Sequence, residues 1–321
     1  MKGMPQGIPF CFYEGDSPMF YPSGLFRLKA RSVLKGHWQT ALLIALIVNL
    51  PTLLMQGFSA FTGNDLASRL QSVLISSSRD GLIPQQQLLK EIDSIMGSTA
   101  FWTMRGLELL AWLITPCLTL GMYRWLMNRV RGLEDPVSTV LCRMNQFFRA
   151  IALQLLVILK ILLWMLPGIA LSVYLLLPVY QSGDINAQLA ALQRSYNMTL
   201  PVTLLIIIPG GMAALRYALS EFIMADEPQT RILDCIRQSK ELMKDKKKDL
   251  FFLLIGFLLW HLLAMTLSSL FTGTLSLLVQ MLAGLAISVY MGCSVAVFYL
   301  FLRSGEKAPK ERTMGLSRPS W

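Results

Sequence analysis

The sequence predicts an all-α fold: a polytopic membrane protein built as a six-helix transmembrane bundle with amphipathic surface helices. Three observations predict it. Of 321 residues, 54% are hydrophobic and 15% charged, against about 25% charge in an average soluble domain, and the mean hydropathy is +0.51. Uncharged runs at 250–270 and 275–302 are each long enough to cross a bilayer core, which takes roughly 20 apolar residues per helix. The charges are lopsided, with 29 Lys plus Arg against 19 Asp plus Glu for a net +10, and most of them fall between the apolar runs. This balance argues against a soluble enzyme. The basic excess points to anionic lipid headgroups rather than nucleic acid, because no nucleic-acid motif accompanies it.

Read in order, the chain has a tail at 1–37, a membrane domain at 38–302 and a second tail at 303–321. The first span, 38–58, carries Pro51, which removes a helical hydrogen bond and kinks the helix. It follows a basic patch, but 37 residues precede it, so it reads as a span and not as a cleaved signal. Residues 60–100 form an external segment with helical periodicity in Leu66, Leu70, Val73 and Leu74, then in Leu88, Leu89, Ile92 and Ile95. Two amphipathic helices on the outer surface account for it; a lid over a ligand is the alternative. Spans at 104–127, 151–174 and 200–223 follow. Residues 226–248 read as one helix, opening on Asp226, Glu227 and Pro228 and closing on Lys246, Lys247 and Lys248, the charge order a helix dipole favours. Its apolar stripe of Ile232, Ile236 and Met243 suits the surface of the inner leaflet. There the lysines would gain on the order of 1 kcal/mol each from anionic lipid; a solvated loop helix is the plainer alternative. Spans at 250–270 and 275–302 complete the bundle.

Lys and Arg are held on the cytoplasmic side during insertion. Of the 29, 23 lie in the N-terminal tail, between spans two and three, between spans four and five, and in the C-terminal tail. The opposite side holds only Arg69, Arg79, Lys90 and Arg194. Both termini are therefore expected in the cytoplasm.

The run Arg216-Tyr217-Ala218-Leu219-Ser220-Glu221-Phe222-Ile223-Met224-Ala225-Asp226-Glu227-Pro228, with Ser239, Leu242-Met243, Lys247, Leu250-Phe251-Phe252, Gly256 and Trp260 after it and Ile208-Pro209-Gly210 before it, resembles a bacterial integral-membrane family titled domain of unknown function 975. Lys29-Ala30, Leu34-Lys35-Gly36 and Trp38 look like that family's opening motif, and the likeness extends to Phe298-Tyr299. Two departures stand out: Gly211 where the family has Ile, and Asp245 where it favours Gly before the basic pair. The resemblance implies a six-helix protein of a bacterial cytoplasmic membrane and no reaction. It is also distantly similar to the membrane domains of some glycerophosphodiester phosphodiesterases, which hints at lipid-related work.

Catalytic arrangements are scarce. His37 and His261 are the only histidines, and Cys11, Cys117, Cys142, Cys235 and Cys293 show no C-x-x-C spacing, so no metal site, cofactor or nucleophile is expected. The informative residues are charges within spans, since each costs at least about 2.5 kcal/mol at mid-bilayer unless paired or hydrated. Lys160 lies about ten residues into its span, near the midplane. Glu108 could pair with it, or instead with Arg105 one helical turn away. His261 also sits deep. Pro167-Gly168 and Pro209-Gly210-Gly211 mark two spans that either break to expose carbonyls, as in transporters, or merely kink. The expectation is a non-enzymatic accessory or scaffold protein in lipid, envelope or export processes, meeting anionic inner-leaflet lipids and either a membrane-protein partner or a second copy. The alternative is a small-solute or lipid transporter built around Lys160 and the Pro-Gly breaks.

Overall fold

The computed structural model describes residues 23–62, 97, 99–181 and 185–314. Every regular element among them is helical, and six helices are long and apolar enough to cross a membrane. The expected surface helices within 60–100 lie, apart from the ends of the flanking spans, outside the described residues.

Helix α1 (Ser23–Leu34) precedes the first span and is no loose tail: Phe26, Ala30 and Leu34, at helical spacing, are buried. Gly36 ends it at φ 87°, where the His37 N–H reaches the Leu34 carbonyl, a conformation glycine adopts without strain. Helix α2 (Trp38–Thr62) runs through Pro51. Helix α3 (Thr99–Val130) ends at Gly132, φ 78°, with Leu133 N–H on Asn128 O and Gly132 N–H on Arg129 O, the paired bonds of a Schellman cap. A 3-10 helix (Val137–Gln146) folds back against α3 so closely that the Val140 backbone fills the space a Cβ of Gly121 would need.

Helices α4 (Phe147–Gln181) and α5 (Ile185–Tyr217) form an antiparallel hairpin. At 1.5 Å per residue α4 is about 52 Å long, well beyond the roughly 30 Å core. Both helices continue through their Pro-Gly segments, so of the two readings at Pro167, Gly168, Pro209, Gly210 and Gly211, a break or a kink, the break does not form. The glycines act in packing instead. A Cβ on Gly168 would collide with Ile206, whose backbone N would stand 3.0 Å away, and one on Gly210 would meet Met165 Cγ at 2.9 Å. The missing Cβ of Gly168 lets the two backbones approach, the device small residues provide wherever membrane helices cross, and Gly210 leaves room for the Met165 side chain.

The expected single helix over 226–248 is also corrected. Helix α6 (Ser220–Asp226) ends where that helix was to begin, helix α7 (Ile232–Leu242) follows, and Lys246–Lys248 stand at the start of helix α8 (Lys247–Ser269), not at a helix end. Pro228 breaks the chain after α6, and Asp245 turns it between α7 and α8 at φ 62°. This left-handed position is the one where the resembled family favours glycine. Asp takes that conformation more readily than most residues but still under strain.

Helix α9 (Gly273–Met314) is the axis of the bundle: 61% of its membrane window is buried, against 6% for α4. It packs on α1, α2, α3 and α8. Phe298 meets Phe26 edge-on at 5.3 Å, and Tyr290 meets Phe257 at 5.1 Å. Cross-links to α1 run from Tyr290 Oη, which donates to Arg27 O (3.1 Å), and from Cys293 Sγ to Ala30 O.

Two substitutions of like chemistry separate packing from flexibility. Gly168→Ala is expected to cost about 1–3 kcal/mol through overpacking, while Gly211→Ala, with nothing within 4 Å of the added Cβ, should be neutral or stabilising by up to about 1 kcal/mol from helix propensity. Thermal unfolding in detergent checks the pair; equal losses would refute the close-approach role. Asp245→Gly should raise the same transition by relieving the positive φ, an effect of up to about 1 kcal/mol.

Candidate functional site

The most elaborate polar arrangement lies at the end of the bundle where the basic loops meet. Asp226 closes α6, a position where the helix dipole disfavours negative charge, and its side chain is only 7% exposed. Three arginines surround it. Arg124 Nη1 donates from α3 at 3.2 Å, Arg131 Nη2 from the turn just after α3 at 2.8 Å, and Arg303 Nη1 from α9 at 2.6 Å. Arg124 also reaches the Asp226 carbonyl at 3.1 Å, and Tyr299 Oη donates to Oδ2 at 3.3 Å. Arg303 continues to Tyr299 Oη at 2.6 Å and to the Glu227 carboxylate.

The loop beyond Asp226 is held by side chains from the end of the 3-10 helix and the start of α4. Arg149 donates to the carbonyls of Pro228 and, at 2.5 Å, of Thr230, while Gln146 Nε2 donates to Pro228 O at 3.4 Å. Proline ends the helix, and the carbonyls so freed need donors. Stacked rings back the cluster: Tyr123 lies 4.1 Å from Phe222, which is tilted towards Tyr299 at 6.2 Å. A second loop is pinned nearby, with Trp125 Nε1 on Asp135 O at 3.2 Å and Asn128 on the Asp135 carboxylate. Cys235 on α7 is buried, its Sγ 3.9 Å from Thr230 O. Burial pushes its thiol up to about 11 despite the opposing pull of Arg149, which makes it an unreactive thiol at neutral pH.

The sequence reading did not find this cluster, because it placed Asp226 and Glu227 at the start of a helix. The available signal was an acidic pair on a side that carries arginines in three separate segments. The residues it did single out are dispersed. Glu108 pairs with Arg105 at 2.7 Å on its own helix, not with Lys160, because residues three apart share a helical face. Lys160 is half-buried, with no carboxylate in ion-pairing distance among the described residues. His261 is half-buried on α8. Arg216 is held over the Trp164 ring at 5.5 Å, and its carbonyl accepts from Ser239 Oγ at 3.1 Å. Of the lysine triplet, Lys248 is exposed and Lys246 lies 4.0 Å from Asp249. Among the described residues no three His, Cys, Asp or Glu side chains gather as metal ligands would. The arrangement as a whole fixes charge and joins helices; it presents no nucleophile beside a base.

The family model described as Protein of unknown function (DUF975) matches residues 19–306, nearly the whole chain. The chain belongs to that family. No curated protein and no solved structure matches it.

Asp226→Asn leaves three arginines without their anion and is expected to cost about 3–5 kcal/mol, the usual penalty for stripping one side of a buried ion cluster. Arg124→Gln, with two arginines remaining, should cost about 1 kcal/mol. Chemical or thermal unfolding checks the ratio; equal effects would show that Asp226 is not the hub. Cys235 should resist a maleimide at neutral pH in the folded protein and react only once the fold is lost, as labelling followed by mass spectrometry would report.

Proposed function

We propose that this member of the family is a non-enzymatic accessory or scaffold protein of a bacterial cytoplasmic membrane. In this reading it serves lipid, envelope or export processes, with its arginine-rich end and both termini in the cytoplasm. The observation that carries it is the uneven burial of the spans. Helix α9 is enclosed by its neighbours, whereas 6% of the α4 window is buried and 17% of the window that includes α5. The hairpin is tied to the rest where α4 packs on α3, where Arg149 clamps the 228–230 loop and where α5 meets α7 and α8. Large residues such as Leu163 and Ile207 face outward along it, 55% and 59% exposed. A rigid hub with a long outward flank suits a protein that positions another membrane helix. Lys246, Lys247 and Lys248, where α8 enters the bundle, suit anionic headgroups, at about 1 kcal/mol per charge. Against the transport alternative stand the engagement of Glu108 by Arg105 and the continuity of both Pro-Gly helices, while Lys160 stays its candidate centre.

A photo-crosslinking residue at Leu163 or Ile207 in intact cells should give one discrete protein adduct, with none from the buried position Leu126. Adducts to lipid alone at both exposed positions would overturn the scaffold reading. Lys160→Met should leave the adduct unchanged; its loss, with folding intact, would return Lys160 to a functional role.

A further inference from the structure

Between α2 and α9, at the end of the bundle away from the arginine cluster, lies a half-open cavity of about 610 Å³. That is within the range of roughly 300–1,000 Å³ typical of small-molecule sites. Its walls are mostly Leu and Met, but four neutral polar side chains converge on it: Asn49 and Thr52 from α2, Gln280 and Ser288 from α9. Among the described residues no charged side chain lines it. We propose that this cavity holds one acyl chain of a membrane ester lipid from the leaflet opposite the arginine-rich end, with the ester carbonyl hydrogen-bonded by Thr52 and Gln280.

Polarity and space each support this occupant. Helix α2 runs to Thr62 and helix α9 begins at Gly273, so Thr52 and Gln280 stand nearer that end of the two helices than Asn49 and Ser288 do. Both entry residues are exposed in the bundle, and each carries a donor that hydrocarbon would leave unsatisfied, at a cost that favours a carbonyl partner. The deeper pair demands less. Asn49 Nδ2 donates to Ala45 O at 2.8 Å and Ser288 Oγ to Leu285 O at 2.8 Å, so both are settled within their own helices and tolerate a methylene chain alongside. The lining among the described residues is neutral and amide- and hydroxyl-bearing, which suits an ester carbonyl and acyl chain rather than a phosphate or carboxylate. Gly284, midway along the α9 wall, has nothing within 4 Å of where its Cβ would stand. The wall is open there, and a larger side chain can fill the cavity without striking the backbone.

The test uses the full chain purified in mild detergent, stripped of lipid by detergent exchange, then incubated with palmitoyl-oleoyl phosphatidylglycerol or its dialkyl ether analogue and read by native mass spectrometry. Wild-type protein should retain one ester lipid through detergent removal and hold the ether analogue more weakly. Gly284→Trp should retain the ester lipid about tenfold less while keeping its thermal transition. Thr52→Val with Gln280→Leu should bind ester and ether lipids alike. Should Gly284→Trp not fold, Gly284→Leu gives the same comparison with a smaller filling. Undiminished retention in the filled variants, or no lipid retained by the wild type, would overturn the proposal. Retention that depends on Lys246, Lys247 and Lys248 instead would do so too, by placing the lipid at the opposite end.

Discussion

An acidic side chain at the C-terminal end of a short helix, shielded from water, is stable only if cations come to it, and in this protein they come from three places in the chain. Arg124 from α3, Arg131 from the turn after it and Arg303 from α9 converge on Asp226, while Arg149 from α4 grips the carbonyls just beyond it. Helices from both halves of the chain are thereby tied at one level. Around that tie the aromatic contacts of Phe222, Tyr123 and Tyr299 fill the remaining space. The short helices α6 and α7 owe their placement to it, since neither has the length to hold a position by itself.

Away from this tie the bundle is organised by how closely backbones can approach. Gly121 admits the 3-10 helix, Gly168 admits the opposing helix of the α4–α5 hairpin at Ile206, and Gly210 admits the Met165 side chain. Without a hydrophobic force between helices in lipid, such close contacts are what hold a hairpin together. They also explain why prolines beside these glycines produce no break: the opposing helix packs over the weakened turn and keeps it helical.

The resulting molecule is asymmetric. Its axis, α9, is enclosed, while the α4–α5 hairpin turns long apolar faces outward. At the end away from the arginines α2 and α9 separate enough to leave a cavity with a neutral, amide- and hydroxyl-bearing lining. A bundle tied firmly at one end and more open at the other offers two surfaces of different chemistry to the membrane around it.

Composition and periodicity alone determined that the protein is all-helical and has six membrane-length helices, because hydrophobic length is a local property that each segment carries within itself. The 3-residue spacing of Arg105 and Glu108 belongs to the same class: helix geometry places them together whatever the rest does. Tertiary structure decided what no local pattern encodes. The periodicity of Ile232, Ile236 and Met243 suggested a helix but did not register that Pro228 and a left-handed Asp245 would divide 226–248 into separate pieces. A Pro-Gly pair reads the same whether it opens a helix or seats a neighbour, and only the presence of Ile206 and Met165 opposite selects the second. The partners of Asp226 are 95, 102 and 77 residues away in the chain. Charge pairs over such separations depend on where the intervening helices pack, so the candidate site exists only once the bundle has closed.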